Sequence, residues 1–363
     1  LEILIGISLK KWRKLLKQNP DARSLKYFSL ILKTTILSIF RNNRFERKER
    51  KEFGSQIQHT EIKPPVFILG HWRSGTSYLH RLLSLDDHFT YPTVFDIYSP
   101  HSFLFTERML RERLKKMAGQ KRPMDQMEIR YDDPGEDEFA LAVMSLCSPL
   151  LAWVFNNRTE FYDRYLTFDG VPPDELQEWK DQLNLLLKKL TVRANKPVML
   201  KSPTHTARVG LLQQMYPQAK FIHIHRDPYT VFNSTVKLYD KTVRPMNLYP
   251  GYDSDREKEG IIARYKLMYE RYFKDVHKLP DGTLIDISYE YLDRDATGTV
   301  KTIYEAMHLG DFEAYLPRLK AHLDKIGNYK KNNYATIEPK WRRKINQEWD
   351  ISFKNWGYDK RDL

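Results

Sequence analysis

Cysteine is almost missing from this chain. Cys147 is the single one among 363 residues, so no intramolecular disulfide framework holds the fold. It sits between Leu146 and Ser148 in an apolar stretch and reads as a packed core residue rather than a nucleophile. One cysteine also fits a reducing, cytoplasmic compartment. There is no cysteine-rich zinc spacing and no H-E-x-x-H, so no metal is expected. Internal repeats and low-complexity tracts are absent as well.

An excess of charge over most of the chain is also lacking. The net charge is +13, but residues 1–51 hold 14 Lys and Arg against 4 Asp and Glu. The remaining 312 residues are close to neutral, at +3. The basicity therefore belongs to the N-terminal segment, and a nearly neutral body argues against nucleic acid as a partner.

That segment, taken as residues 1–58, reads as a basic helical arm ahead of a body spanning 59–363. Its first piece places Ile5, Leu9, Trp12 and Leu16 on one face, with Lys10, Lys11, Lys14 and Lys17 over much of the rest. Its second lines up Leu25, Phe28, Leu32, Ile36 and Ile39, and Asn19-Pro20 separates the two. Neither is long enough or free enough of charge to span a bilayer. Two readings stay open: a pair of interfacial helices resting peripherally on anionic lipid, or an arm that packs on the body with a solvated basic face. The chain opens on Leu1, so an upstream signal or anchor is compatible with it.

The body alternates short apolar strands with helices. Strands are expected at 65–69, 197–202, 220–225 and 283–288, and helices after the first, over 174–190, before the third and after it. Such alternation implies an α/β fold with a parallel sheet covered on both faces.

The chemistry begins at GHWRSGTS, residues 70–77. Gly70, Gly75 and Ser77 fall where the phosphate loop G-x-x-x-x-G-K-[ST] wants them, but Thr76 takes the lysine position. Backbone amides at a glycine turn and helix N-terminus bind an anion without that lysine. What is lost is reach to a γ-phosphate, so the loop suits one phosphate-like group, with Arg73 as its cation and Ser74, Thr76 and Ser77 as hydroxyls. A second anion site is expected at RDPYTVFNS, where Arg226 and Ser234 bracket a turn into a helix at the carboxyl end of KFIHIH. Two anion sites on one sheet edge point to a ligand with two separated phosphates.

These residues carry a resemblance. GHWRSGTSYLHRLL, MLKSPTHTARV, MYPQAKFIHIHRDPYTVFNS and ISYEYLDRD, together spanning 65–295, are similar to the motifs of sulfotransferases that use 3′-phosphoadenylyl sulfate, in the bacterial branch related to the cytosolic and carbohydrate enzymes. The resemblance implies a P-loop-kinase-like three-layer fold with a central parallel sheet, the arm in front and a helical part over 296–363. It implies in-line transfer of a sulfuryl group to a hydroxyl or amine, with adenosine 3′,5′-bisphosphate as product and no metal. The donor has no γ-phosphate, which accounts for Thr76.

It further implies roles. Arg73, Ser74, Gly75, Thr76 and Ser77 hold the 5′-phosphosulfate, Arg226 and Ser234 hold the 3′-phosphate, and Tyr78 stacks on adenine or packs in the core. Arg73 and Lys201 oppose charge growing on the transferring group. His205 in KSPTH is one candidate base, although Pro203 stands where cytosolic relatives carry their histidine. Glu138 in PGEDEFAL is the other, with Glu136 and Asp137 beside it as ordinary helix-dipole partners or alternatives. His223 and His225 share a strand face and read as core or loop-facing groups. Phe89, Phe95, Phe103, Phe105, Trp153 and Phe155 could wall an apolar acceptor pocket, so a small lipophilic or lipid-like alcohol is the expected acceptor. The rival classes are a divergent P-loop kinase or triphosphatase, disfavoured by Thr76 and by VMLKS ending in lysine rather than an acid, and a non-catalytic, membrane-associated nucleotide binder.

Overall fold

A computed structural model describes residues 2–23, 27–107, 109, 120–121, 128–326 and 336–361. The chain divides into two compact units, one formed by 1–63, 90–198 and 242–251, the other by 64–89, 199–241 and 252–363.

The first unit is mainly helical. Ser8 caps α1 (Leu9–Gln18) by accepting the Lys11 amide. The buried stripe of α1 is Trp12 and Leu15, flanked by Ser8 and Asn19, rather than Trp12 and Leu16. Ile5 lies in the turn ahead of the helix, which sets the register one residue away from the expected one. After α2 (Phe28–Leu37), a π-helical turn over Ser38–Asn42 leads into α3 (Asn43–His59). Leu25, expected at the head of that second piece, lies outside the described residues. Two further helices, Asp137–Met144 and Pro173–Ala194, complete the frame. The second starts on Pro173, as the Pro172-Pro173 pair leads one to expect, and ends on Asn195 in a left-handed cap. A buried ion pair between Lys189 on that helix and Glu49 ties α3 to it.

The second unit is built on a parallel sheet. Its strands are β1 (Val66–Leu69), β2 (Met199–Lys201), β3 (Lys220–His225) and β4 (Leu284–Ser288), in the order β2-β1-β3-β4. Val66 pairs with Met199 and Lys220, Ile68 with Lys201 and Ile222, and His225 with Ser288. Alternation along the strands sorts the side chains onto two faces. Val66, Ile68, Met199, Ile222 and Ile224 form one apolar cluster with Leu79, Leu82 and Leu83 of α4 (Thr76–Leu83), which follows β1 directly. On the other face Phe67 stacks on Phe221, with ring centroids 5.7 Å apart, and meets Tyr216. After β3 comes α5 (Pro228–Leu238), whose N-cap Asp227 accepts the Thr230 amide, and then the long α6 (Ser254–Val276). The α/β architecture with a parallel sheet is therefore the one expected, and the carboxyl ends of β1, β2 and β3 come together at one edge.

Candidate active site

The chain leaves β1 at Leu69 and must turn sharply to start α4 at Thr76. The turn uses three residues with positive φ: Gly70 at 140°, Arg73 at 72° and Gly75 at 104°. Any side chain at Gly70 would run into the Ile224 carbonyl, and one at Gly75 into the Tyr289 ring. Arg73 is the non-glycine residue held left-handed in this loop, a strain that persists only where surrounding contacts enforce it. Those contacts come from far along the chain as well as from within the loop. The Gly70 amide donates to Thr206 Oγ1 at 2.7 Å, the His71 amide to the Tyr269 hydroxyl at 3.1 Å, and Ser74 Oγ to the His71 carbonyl at 2.7 Å. Burial, partly opposed by a hydrogen bond to the Trp72 carbonyl, lowers the His71 pKa to about 4, so its ring is neutral.

Arg73 leaves this loop toward the second motif, where its Nε donates to Ser234 Oγ on α5 at 2.8 Å. Arg226, at the end of β3, donates through Nη1 to the Arg73 carbonyl at 3.3 Å, and its guanidinium lies over the Tyr289 ring at 3.9 Å from the centroid. Among the described residues no carboxylate forms an ion pair with Arg226. The neighbouring Asp227 is taken by Arg361 at 3.3 Å. Lys201, buried at the end of β2, donates through Nζ to Ser77 Oγ in the first turn of α4 at 3.2 Å. Arg73, Ser74, Gly75, Thr76, Ser77, Lys201, Arg226 and Ser234 thus belong to one constellation at the carboxyl edge of the sheet. Arg73 stands in the loop before α4, Arg226 bonds that loop and Lys201 bonds the first turn of α4, so three cations flank a helix start whose first amides lack intrahelical acceptors. Such a donor set fits a dianionic or trianionic ligand with separated anionic groups.

Tyr78, on α4 itself, packs partly buried against the apolar core, and burial with the charge of Asp293 raises its hydroxyl pKa. His205, in the 3₁₀ turn Pro203–Arg208, is fully buried, its ring edge-on to Phe67 at 5.5 Å. Glu138 lies in the other unit, buried in the first turn of helix Asp137–Met144, with Glu136 at the N-cap and Asp137 buried beside it. Phe89 belongs to the sheet cluster, whereas Phe95, Phe103, Trp153 and Phe155 are buried in the first unit.

His223 and His225 have a structural partner each. His223 Nδ1 meets Asp286 Oδ1 at 2.8 Å, and His225 Nδ1 meets the Tyr358 hydroxyl at 2.9 Å. The His225 ring also lies parallel to Trp356 at 4.7 Å. Burial, against the pull of Asp286, brings the His225 pKa down to about 4. Two contributors to the loop carried no legible role in the sequence. Thr206 sits in SPTHT, one residue past the histidine that drew the eye, and Tyr289 sits in ISYEYLDRD without marking itself as the platform for Arg226.

A model described as the sulfotransferase family matches residues 64–313. Over 360 residues the chain is 36% identical to the omega-hydroxy-beta-dihydromenaquinone-9 sulfotransferase Stf3 of Mycobacterium bovis, and equally to that of Mycobacterium tuberculosis, covering 98% of this chain and 91% of the relative. The fold is shared with the crystal structure of sulfotransferase STF1 from M. tuberculosis, at TM-score 0.63 and 19% identity over 87% of this chain and 86% of that one. It is shared also with STF9 from Mycobacterium avium, at TM-score 0.61 and 18% identity over 85% and 82%. With the loop, the Arg226–Ser234 pair and the parallel sheet in place, the chain belongs to the sulfotransferase family and is itself a sulfotransferase.

Proposed function

We propose that the donor is 3′-phosphoadenylyl sulfate and that the acceptor is the hydroxyl of a lipophilic small molecule. The observation carrying the donor assignment is the hydrogen bond from Arg73 Nε to Ser234 Oγ, which joins the glycine loop to the second anion motif. A ligand with a 5′-phosphosulfate and a 3′-phosphate engages both motifs at once, and a single-anion ligand engages one. The donor supplies an activated sulfuryl group. Glycines 70 and 75 let the backbone approach its 5′ end, with Ser74, Thr76 and Ser77 around it. Arg226 and Ser234 hold the 3′-phosphate, and Tyr78 is the group nearest in sequence to serve the adenine. Arg73 and Lys201 oppose the negative charge that builds on the leaving oxygen as the S–O bond breaks, a contribution that grows toward the transition state.

Two groups compete to take the acceptor's proton. His205 is enclosed against Phe67, and Glu138 is equally buried at a helix start. Glu138 is the proposed base, with His205 proposed in a positioning role. For the acceptor class, the support is the 36% identical relative, which acts on omega-hydroxy-beta-dihydromenaquinone-9, a hydroxylated and largely apolar quinone.

The test is calorimetric titration of adenosine 3′,5′-bisphosphate without magnesium, beside ATP with magnesium. Tight binding of the bisphosphate, weakened by about tenfold or more in Arg226→Ala through loss of a charge-assisted contact, is the expected result. Binding of ATP with magnesium alone would move the chain to kinase-like chemistry.

A further inference from the structure

The arm places its side chains the wrong way round for a helix that faces water. In α2 and the π turn after it, the buried positions are polar: Thr34, Ser38 and Asn42. They are held by specific bonds, Ser38 Oγ donating to the Ile7 carbonyl at 3.0 Å and Asn42 Nδ2 to the carbonyls of Ile5 and Ile7 at 2.9 and 2.8 Å. Thr35 Oγ1, next to them, accepts from Trp12 Nε1 at 2.9 Å. These bonds fix the rotation of the helix, so its orientation is built in.

The opposite side then carries Phe28, Leu32, Ile36, Ile39 and Phe40, between 41% and 72% exposed. Spaced at three and four residues, they make one continuous apolar stripe. A stripe of this size left in solvent marks a contact surface.

Charge selects the occupant. Between Ala22 and Phe45 the sequence has five basic residues, Arg23, Lys26, Lys33, Arg41 and Arg44, and no acidic one. Lys33 and Arg44 are exposed, and Arg41 is half-buried. A second copy brought face to face would set these like charges against each other. An anionic lipid surface satisfies both the stripe and its basic border. No described helix is long and apolar enough to cross a membrane, so the geometry is that of a helix lying in the interfacial plane.

We infer that α2 and the following turn form an in-plane docking face for anionic lipid, with Phe28, Leu32, Ile36, Ile39 and Phe40 entering the acyl boundary and the exposed Lys33 and Arg44 meeting headgroups. The inference stands on the arm alone and not on the donor or acceptor assignments.

The experiment is flotation of the full chain with vesicles of equimolar phosphatidylcholine and phosphatidylglycerol, beside vesicles of phosphatidylcholine alone. The variant is Ile36→Ser with Phe40→Ser, whose side chains are solvent-facing. A circular dichroism spectrum and melting temperature matching those of the unchanged chain report that the variant is folded. The expected result is flotation with the anionic vesicles only, weakened by about tenfold or more in the variant. Absence of flotation, equal flotation with both vesicle types, or unchanged flotation of the variant overturns the inference. So does concentration-dependent dimerisation that the variant abolishes without any vesicle binding, because the face then covers a second copy. Sulfotransfer is not read in any arm of this test, so its failure and failure of the proposed reaction remain separate results.

Discussion

At the scale of single residues, Arg73 is held at both its backbone and its side chain. Its backbone is left-handed, its carbonyl accepts from Arg226, and its Nε reaches Ser234. One arginine thereby sets the distance between the two anion motifs. The base is a separate question, and two conservative substitutions answer it. Glu138→Gln keeps the shape of a buried side chain and removes its proton-accepting group, so turnover should fall by about 100-fold or more with bisphosphate affinity retained. His205→Gln should instead lower thermal stability, because it disturbs the packing against Phe67, while turnover falls by less than about tenfold. Single-turnover rates beside melting temperatures check this. A His205→Gln enzyme that is folded and inactive, with an active Glu138→Gln enzyme, would exchange the two roles. The places of Arg73, Arg226 and Ser234 are legible in the sequence because glycine spacing marks the loop and a turn after an apolar strand marks the pair, while their roles rest on the family resemblance. Thr206 and Tyr289 are not legible, because each acts through a long-range contact, with Gly70 and with Arg226, that no local pattern encodes.

At the scale of elements, the loop depends on a helix far along the chain. Tyr289, which opens the helix Tyr289–Arg294, lies against Gly75 and under Arg226. Gly75→Ala would force a residue into φ of 104° and push its methyl into that ring. We expect a loss of about 1–3 kcal/mol in stability, together with weaker bisphosphate binding as the Arg226 platform shifts. Urea denaturation followed by titration reads both, and an unchanged midpoint would mean that the ring moves freely and that Arg226 does not depend on it. The four strands are readable because each is a short, mostly apolar run closed by turn residues; β1 and β2 are buried throughout, while β3 and β4 alternate apolar residues with His223, His225 and Asp286. The arm was read less well. Periodicity found the apolar stripe of α2, but a stripe does not say which side is buried, and the hydrogen bonds of Ser38 and Asn42 decide that the polar side is. In α1 the capping oxygen of Ser8 starts the helix after Ile5 and shifts the stripe to Trp12 and Leu15.

At the scale of the whole molecule, buried neutral histidines set the response to acid. Burial lowers the pKa of His71 to about 4, of His225 to about 4 and of His101 to about 3, from an ordinary value of 6.5. For His71 the Trp72 carbonyl pulls the other way, and for His225 it is Asp286; at His101 the charges of Lys189 and Lys11 add to the lowering, and a hydrogen bond with Val143 opposes it. In each case the unfolded chain takes up a proton that the folded one refuses. The stabilisation is therefore complete above the unfolded value of 6.5 and is lost as pH falls from there toward 4. Each group contributes a slope of about 1.4 kcal/mol per pH unit inside that window. Asp286 adds to the loss at lower pH. Its partial burial favours the neutral acid, but the charge and hydrogen bond of His223, with His225 and Trp356, hold its pKa below the usual carboxylate value. Its contribution is thus present above the unfolded carboxylate range and disappears as pH falls through the lowered value. The urea midpoint should stay level from pH 8 to about 6.5 and drop steadily below it. His71→Asn should flatten the descent between pH 6.5 and 4, since the substituted side chain has no proton to refuse. A midpoint that held level down to pH 4.5 would mean that these rings take up protons in the folded chain, and the enclosure assigned to His71 beside the loop would be wrong.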